Sequence, residues 1–402
     1  MTDAPATTAS DRSAPPARAP QRHVGIDAAR GLAIVGMIAA HVIPRFSDAE
    51  LIVDGRPSIL FAVLAGLSLG LLTPTRAAAT PGDARAARRG ARAALATRAL
   101  LLMVLGLWLW TLPTNIAIIL DAYGLMFLLM VPLLFANRVV LAVVGAGVLA
   151  LGPLLVSLTE PLPPFSVFSG ASPIDRAADL VRDPVVVLAD AFLTGYYPAL
   201  LWLPLLCAGL IATRSDLTST MTRLLMVTLG LAASLVGYGA AVFLPSVSAE
   251  AHAVTPAELL GSGGLAIAII GGALLLLDSP GSFARASRIV LAPLIAIGRM
   301  PLTVYTLHVL LIALATEAFG IGPAGAYASP DGWWMLAALL VISAAVALIA
   351  MRRGARGPLE LALARVTAAV AAPRRRRDAG AGPGTGTGTD ARTGADARTV
   401  AD

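Results

Sequence analysis

The chain contains no lysine; all 30 of its basic residues are arginine. That removes the amine used as a covalent nucleophile and leaves the guanidinium fork as the permanent cation. There is one cysteine, Cys207, set in an apolar run. An intramolecular disulfide is excluded, and the thiol reads as a small buried hydrophobe. The four histidines, His23, His41, His252 and His308, are scattered without ligand spacing, so no metal site is expected. No P-loop or dinucleotide fingerprint is present. The glycines at 261, 263 and 264 follow no strand and read as small-residue helix packing. Only 13% of residues are charged. The net charge of +6 does not point to nucleic acid, because the arginines sit between and beyond the apolar runs. Arginine without lysine also fits a GC-rich bacterial coding bias.

What the chain has in quantity is hydrophobic sequence: 57% of 402 residues, with a mean hydropathy of +0.79. This composition describes a polytopic membrane protein. Apolar runs of spanning length fall near 26–43, 57–72, 99–112, 116–135, 139–157, 186–212, 224–244, 260–277, 290–316 and 333–351. The expected fold is therefore all-α, a membrane helix bundle of about ten spans, with Pro293 and Pro301 positioned to break the ninth. The connection 73–98 carries six arginines and is assigned to the cytoplasm by the positive-inside rule. Threading outward then puts Arg138, Arg214, Arg223, Arg285, Arg288 and Arg352 inside too, with both termini cytoplasmic in a bacterial plasma membrane. Trp108, Trp110, Trp333 and Trp334 fall at the outer surface, as an aromatic belt does. Residues 1–21 and 373–402 read as disordered tails flanking one membrane domain, 22–372, and 358–370 as a short helix at the inner surface.

Ionisable groups inside membrane helices are costly and so mark candidate sites. The first run carries Asp27, Arg30 and His41. Arg30 and His41, eleven residues apart, lie on one helical stripe about 16 Å apart along the axis. Asp27 and Arg30 are surface neighbours on that helix. The ninth run carries Arg299, Pro301, Tyr305 and His308. If it is one continuous helix, His308 points roughly opposite to Arg299 and shares its face with Tyr305. Asp121 and Asp190 lie near the outer ends of their runs, in position to pair with Arg56; Glu258 reads as interfacial. Tyr196, Tyr197 and Trp202 surround a helix break that forms either a packed kink or a cavity wall.

These residues resemble a known pattern. Asp27, Arg30-Gly31 and His41 look like the opening helix of the transmembrane acyltransferase superfamily, including acyltransferase-3 proteins and the heparan-alpha-glucosaminide N-acetyltransferase with its bacterial YeiB-like relatives. Gly55 to Gly66, Gly195-Tyr196-Tyr197-Pro198, Gly298-Arg299-Met300-Pro301-Leu302-Thr303 with Tyr305, and Gly357-Pro358-Leu359-Glu360 resemble successive signatures of the YeiB-like branch, over about residues 22–365. The resemblance implies transfer of an acyl group, often acetyl, from cytoplasmic acyl-CoA to an extracytoplasmic glycan or lipid-linked acceptor. It makes His41 the candidate general base, since a neutral imidazole suits that task near pH 7. Arg30, Arg299 and Tyr305 become candidate contacts for the coenzyme A donor, and Arg56, Asp121, Tyr197 and His308 for the acceptor. No metal cofactor is implied, and assembly as a homo-oligomer is open. The alternative is a multi-pass transporter or lipid/glycan flippase, in which broken spans and buried ionisable groups are equally at home.

Overall fold

A computed structural model describes residues 22–44, 50–73, 81–114, 116–159, 173–320, 322 and 331–371. The expected disordered tails lie outside these residues. Every regular element among them is helical. In chain order they are α1 (Val24–Ala40), α2 (Glu50–Val53), α3 (Arg56–Leu72), α4 (Pro81–Leu109), α5 (Leu120–Leu133), α6 (Arg138–Ser157), α7 (Pro173–Arg182) and α8 (Pro184–Ala189). After a π-helical turn (Asp190–Thr194) come α9 (Leu203–Ala212), α10 (Thr220–Phe243), α11 (Pro256–Asp278), α12 (Ser282–Val290), α13 (Ala292–Arg299), α14 (Pro301–Phe319), α15 (Asp331–Arg352) and α16 (Pro358–Ala371).

Six of these, α4, α6, α10, α11, α14 and α15, are long and apolar enough to cross a membrane. The chain is thus a multi-pass membrane protein. The other apolar runs depart from uniform spans. Those at 26–43 and 57–72 form helices of 17 residues, and that at 116–135 forms one of 14. The run 186–212 divides where Gly195 and Pro198 interrupt it. There the backbone turns back, with Gly195 N–H donating to the Asp190 carbonyl (2.8 Å) and Ala199 N–H to that of Ala191 (2.9 Å). The run 290–316 divides at Leu291 and again at Met300 (φ −135°, ψ 55°), because Pro301 disfavours helical geometry in the residue before it. The short terminal helix expected at 358–370 is α16.

α1 is the central element. It packs against α3, α11, α13, α14 and α15, and most of its residues are buried. α13 crosses it so closely that a Cβ on Gly298 would run into the Asp27 carbonyl, and one on Gly31 into that of Leu294. The glycine run at 261–264 does pack helices: Gly264 faces the Gly230 carbonyl, where a Cβ would lie 2.5 Å from the oxygen. Close backbone approach of this kind gives van der Waals contact between helices that lipid would otherwise separate. Leucine at Gly264 pushes α10 and α11 apart, at a cost of about 1–3 kcal/mol. The expected outcome of Gly264→Leu is a lower melting temperature in detergent, measured by size-exclusion with fluorescence detection; an unchanged melting curve contradicts the packing.

Candidate functional site

The polar end of α1 is built round one carboxylate. Asp27 is buried, and its two oxygens accept from Arg22 Nε (2.6 Å) and an Arg30 terminal nitrogen (3.1 Å). The second guanidinium nitrogen of Arg30 donates to Ser68 Oγ on α3 (3.0 Å). Ser68 in turn donates to the Leu64 carbonyl (2.6 Å). Arg30 is therefore fixed and compensated. Just ahead of α1, Asp278 ties the end of α11 to it through His23 Nδ1 (3.0 Å) and the Gly25 N–H (3.1 Å).

Arg30 opens onto a cavity of about 380 Å³. Its mouth is lined by Arg30, Arg98, Arg299 and Arg356, and its walls by α3, α5 and the apolar face of α16. Along α3 it runs from Leu72 back to Phe61, about 16 Å. Ile119, Tyr123 and Tyr305 also line it. Arg98, Arg299 and Arg356 form no hydrogen bond or ion pair with another described residue. The carboxylate among them, Glu360, is already committed. It caps α14 from α16, accepting from Leu302 N–H (2.7 Å), Thr303 N–H (3.1 Å) and Thr303 Oγ (2.5 Å). Met300, the N-cap residue, offers no side-chain bond of its own. The mouth thus carries a surplus of positive charge suited to an anion with several negative oxygens. A second, more open cavity of about 710 Å³ lies between α4 and α16 and shares Leu69, Leu72, Arg98 and Ala364 with the first.

Next to Tyr305, outside the cavity lining, stand two histidines. His41, immediately after α1, and His308, in α14, bring Nδ1 and Nε2 to 3.1 Å, with the rings stacked at 5.2 Å and 14°. His308 is completely buried, and the edge of Tyr305 meets its ring at 4.9 Å. His308 Nδ1 is buried with no hydrogen-bond partner among the described residues. Two tautomeric arrangements satisfy the contact between the rings. In one of them His308 carries its hydrogen on Nδ1 and accepts at Nε2, His41 donates through Nδ1, and the lone pair of His41 falls on Nε2. In that tautomer His308 orients a neutral imidazole whose outer nitrogen is free to take a proton.

Residues 206–369 match the model of a family described as a protein of unknown function (DUF418). The YeiB-like proteins belong to that family. No curated protein matches the chain. The DUF418 stretch contains Arg299, Tyr305, His308, Arg356 and Glu360; Arg30, His41 and Arg98 come from the half before it.

The remaining candidates lie elsewhere. Arg56 Nε donates to the Tyr238 hydroxyl (3.0 Å), which bonds Ser262 Oγ (2.7 Å). Asp121 accepts from Trp110 Nε1 (3.2 Å). Neither Arg56 nor Asp121 lines the cavity. Tyr197 packs edge-on against Trp202 (5.4 Å) and His252 (5.6 Å). Glu258, in the first turn of α11, is buried within the protein. It accepts from the N–H groups of His252 (2.8 Å) and Val254 (2.6 Å), two non-glycine residues with positive φ. Arg299 and Tyr305 face one cavity, not opposite sides, because the break at Met300 places them on different helices. Arg299 is also exposed rather than deep in the bundle. Arg98, Arg356 and Glu360 were not singled out as site residues from the sequence. Asparagine at Asp27 leaves Arg30 with no carboxylate in a largely buried position, at a cost of about 3 kcal/mol. Asp27→Asn is expected to lower the thermal midpoint by several degrees, whereas Arg22→Gln, at the exposed partner, changes it little; equal effects contradict the assignment.

Proposed function

We propose that the protein is an integral membrane acyltransferase that takes an acyl group, acetyl being the simplest, from acyl-CoA and passes it to a hydroxyl-bearing glycan or lipid-linked acceptor across the membrane. The observation that carries this reading is the cavity. Three guanidiniums without hydrogen-bond partners among the described residues line it, and its largely apolar lining runs about 16 Å along α3 toward Tyr305, which touches the buried His308 beside the half-buried His41. Acyl-CoA has the matching polarity, with several phosphates at one end and a slender arm ending in a thioester at the other. Arg98, Arg299 and Arg356 hold the phosphates, and Arg30, fixed by Asp27 and Ser68, sets the rim. His41, oriented by His308, takes the proton of the attacking acceptor.

In this reading the arginine-rich end is cytoplasmic, both termini are inside, and the shorter helices and the broken segments complete about ten crossings of a bacterial plasma membrane. Helix breaks at 195–202 and at Met300 favour a second reading, a transporter with no acyl chemistry.

The two readings separate on two measurements. Acetyl-CoA stabilises the purified protein against heat, and replacing Arg98 and Arg299 together by Gln removes most of that stabilisation while leaving the melting point without ligand nearly unchanged. In proteoliposomes supplied with labelled acetyl-CoA and envelope extract, His41→Ala reduces label transfer to background, and His308→Ala lowers it about 10²–10⁴-fold, the range for a base that has lost its orientation. No stabilisation by acetyl-CoA at saturation, or full transfer by His41→Ala, refutes the acyltransferase reading.

A further inference from the structure

The cavity lining holds a group whose chemistry is not exhausted by donor binding. Tyr305 Oη accepts the Ile119 N–H at 3.4 Å, and no described residue accepts the hydroxyl hydrogen of Tyr305. Both Tyr305 and Ile119 line the cavity. Ile119 is the N-cap residue of α5, a helix that begins inside the bundle, so the positive end of its dipole also faces this point. The ring is held by its edge-on contact with His308 and by burial to 3% exposure. The hydroxyl oxygen accepts one N–H, and its own hydrogen is left to donate within the cavity that Tyr305 lines, one helical turn from His308.

Resting on the acyl-transfer reading above, we infer that Tyr305 is a catalytic electrophile: its O–H, backed by the N-terminus of α5, stabilises the oxyanion formed on the thioester carbonyl. The acceptor oxygen forms a bond to the carbonyl carbon as His41 Nε2 takes the acceptor's proton. The carbonyl π electrons move onto oxygen, and the Tyr305 hydroxyl donates to that oxyanion. When the oxyanion collapses, the C–S bond breaks and the thiolate leaves with the proton held by His41. The products are an acyl ester and the free thiol of coenzyme A, with no change of oxidation state. A fixed donor aimed at developing charge in a site shielded from water acts more strongly in the transition state than on the ground-state carbonyl.

Tyr305→Phe keeps the ring, its packing and its volume while deleting the donor. The test compares wild type and Tyr305→Phe in proteoliposomes, with acetyl-CoA as donor and envelope extract as acceptor, following label transfer and thiol release together. The expected result is a fall in kcat of about 10²–10³-fold with KM for acetyl-CoA nearly unchanged, the pattern of an interaction made only in the transition state. Thermal stabilisation by coenzyme A stays at the wild-type level, since the ground-state contacts are kept. An active wild type beside a Tyr305→Phe variant of equal kcat, or one altered only in KM, overturns this inference and leaves the acyltransferase reading standing. A wild type that binds acetyl-CoA but never releases thiol overturns both.

Discussion

A polar group inside an apolar bundle has to find its partner within the bundle, because lipid offers none. α1 is organised by that constraint. Asp27 accepts from two arginines at one end, and His41 at the other is matched by His308 from a helix more than 260 residues later. Between these ends the helix is lined by small and apolar residues that let α3, α11 and α13 approach closely. Neither polar end is stable alone. The Asp27 cluster needs Ser68 from α3 to complete the Arg30 fork, and the imidazole pair needs α14 to begin at the right height.

That height is set by the break at Met300. Pro301 starts a new helix, and the carboxylate of Glu360 reaches over from α16 to take up its first N–H groups. One interaction thereby closes the wall of the cavity and fixes the helix that carries Tyr305 and His308. It also takes up the hydrogen-bonding oxygens of the carboxylate at the mouth, where four arginines outnumber it. Arg30 and His41 stand at opposite ends of α1, and the cavity lining follows α3 from the Arg30 end as far as Phe61; it includes Tyr305 but neither histidine.

The long helices were legible from apolar length alone, and Arg30, Arg299, Tyr305, His41 and His308 stood out because charge and imidazole are rare in such runs. Their mutual placement was not legible. Extrapolating one helix from Arg299 to His308 puts them on opposite sides, and the break at Met300 invalidates that rotation. Arg98 and Arg356 read as ordinary members of basic connections. Their significance depends on α4 and α16 meeting over the ends of α3 and α14, a non-local approach that no local pattern encodes. The burial of Glu258 was not legible either, because it depends on a tight loop with positive φ at His252 and Val254, where no glycine signals it. The pairing of His41 with His308 likewise arises from tertiary contact between helices far apart in the chain.

On the acyl-transfer reading, the cavity beneath the arginine mouth receives a thioester donor whose reactive end reaches the histidine pair. The most direct measurement is an electron cryo-microscopy structure of the protein in lipid nanodiscs with coenzyme A at saturating concentration. Continuous density is expected from phosphates at Arg98, Arg299 and Arg356, along α3, to a sulfur beside Tyr305. Density for coenzyme A at any other place, or an arginine mouth with no ligand density at saturation, would contradict it.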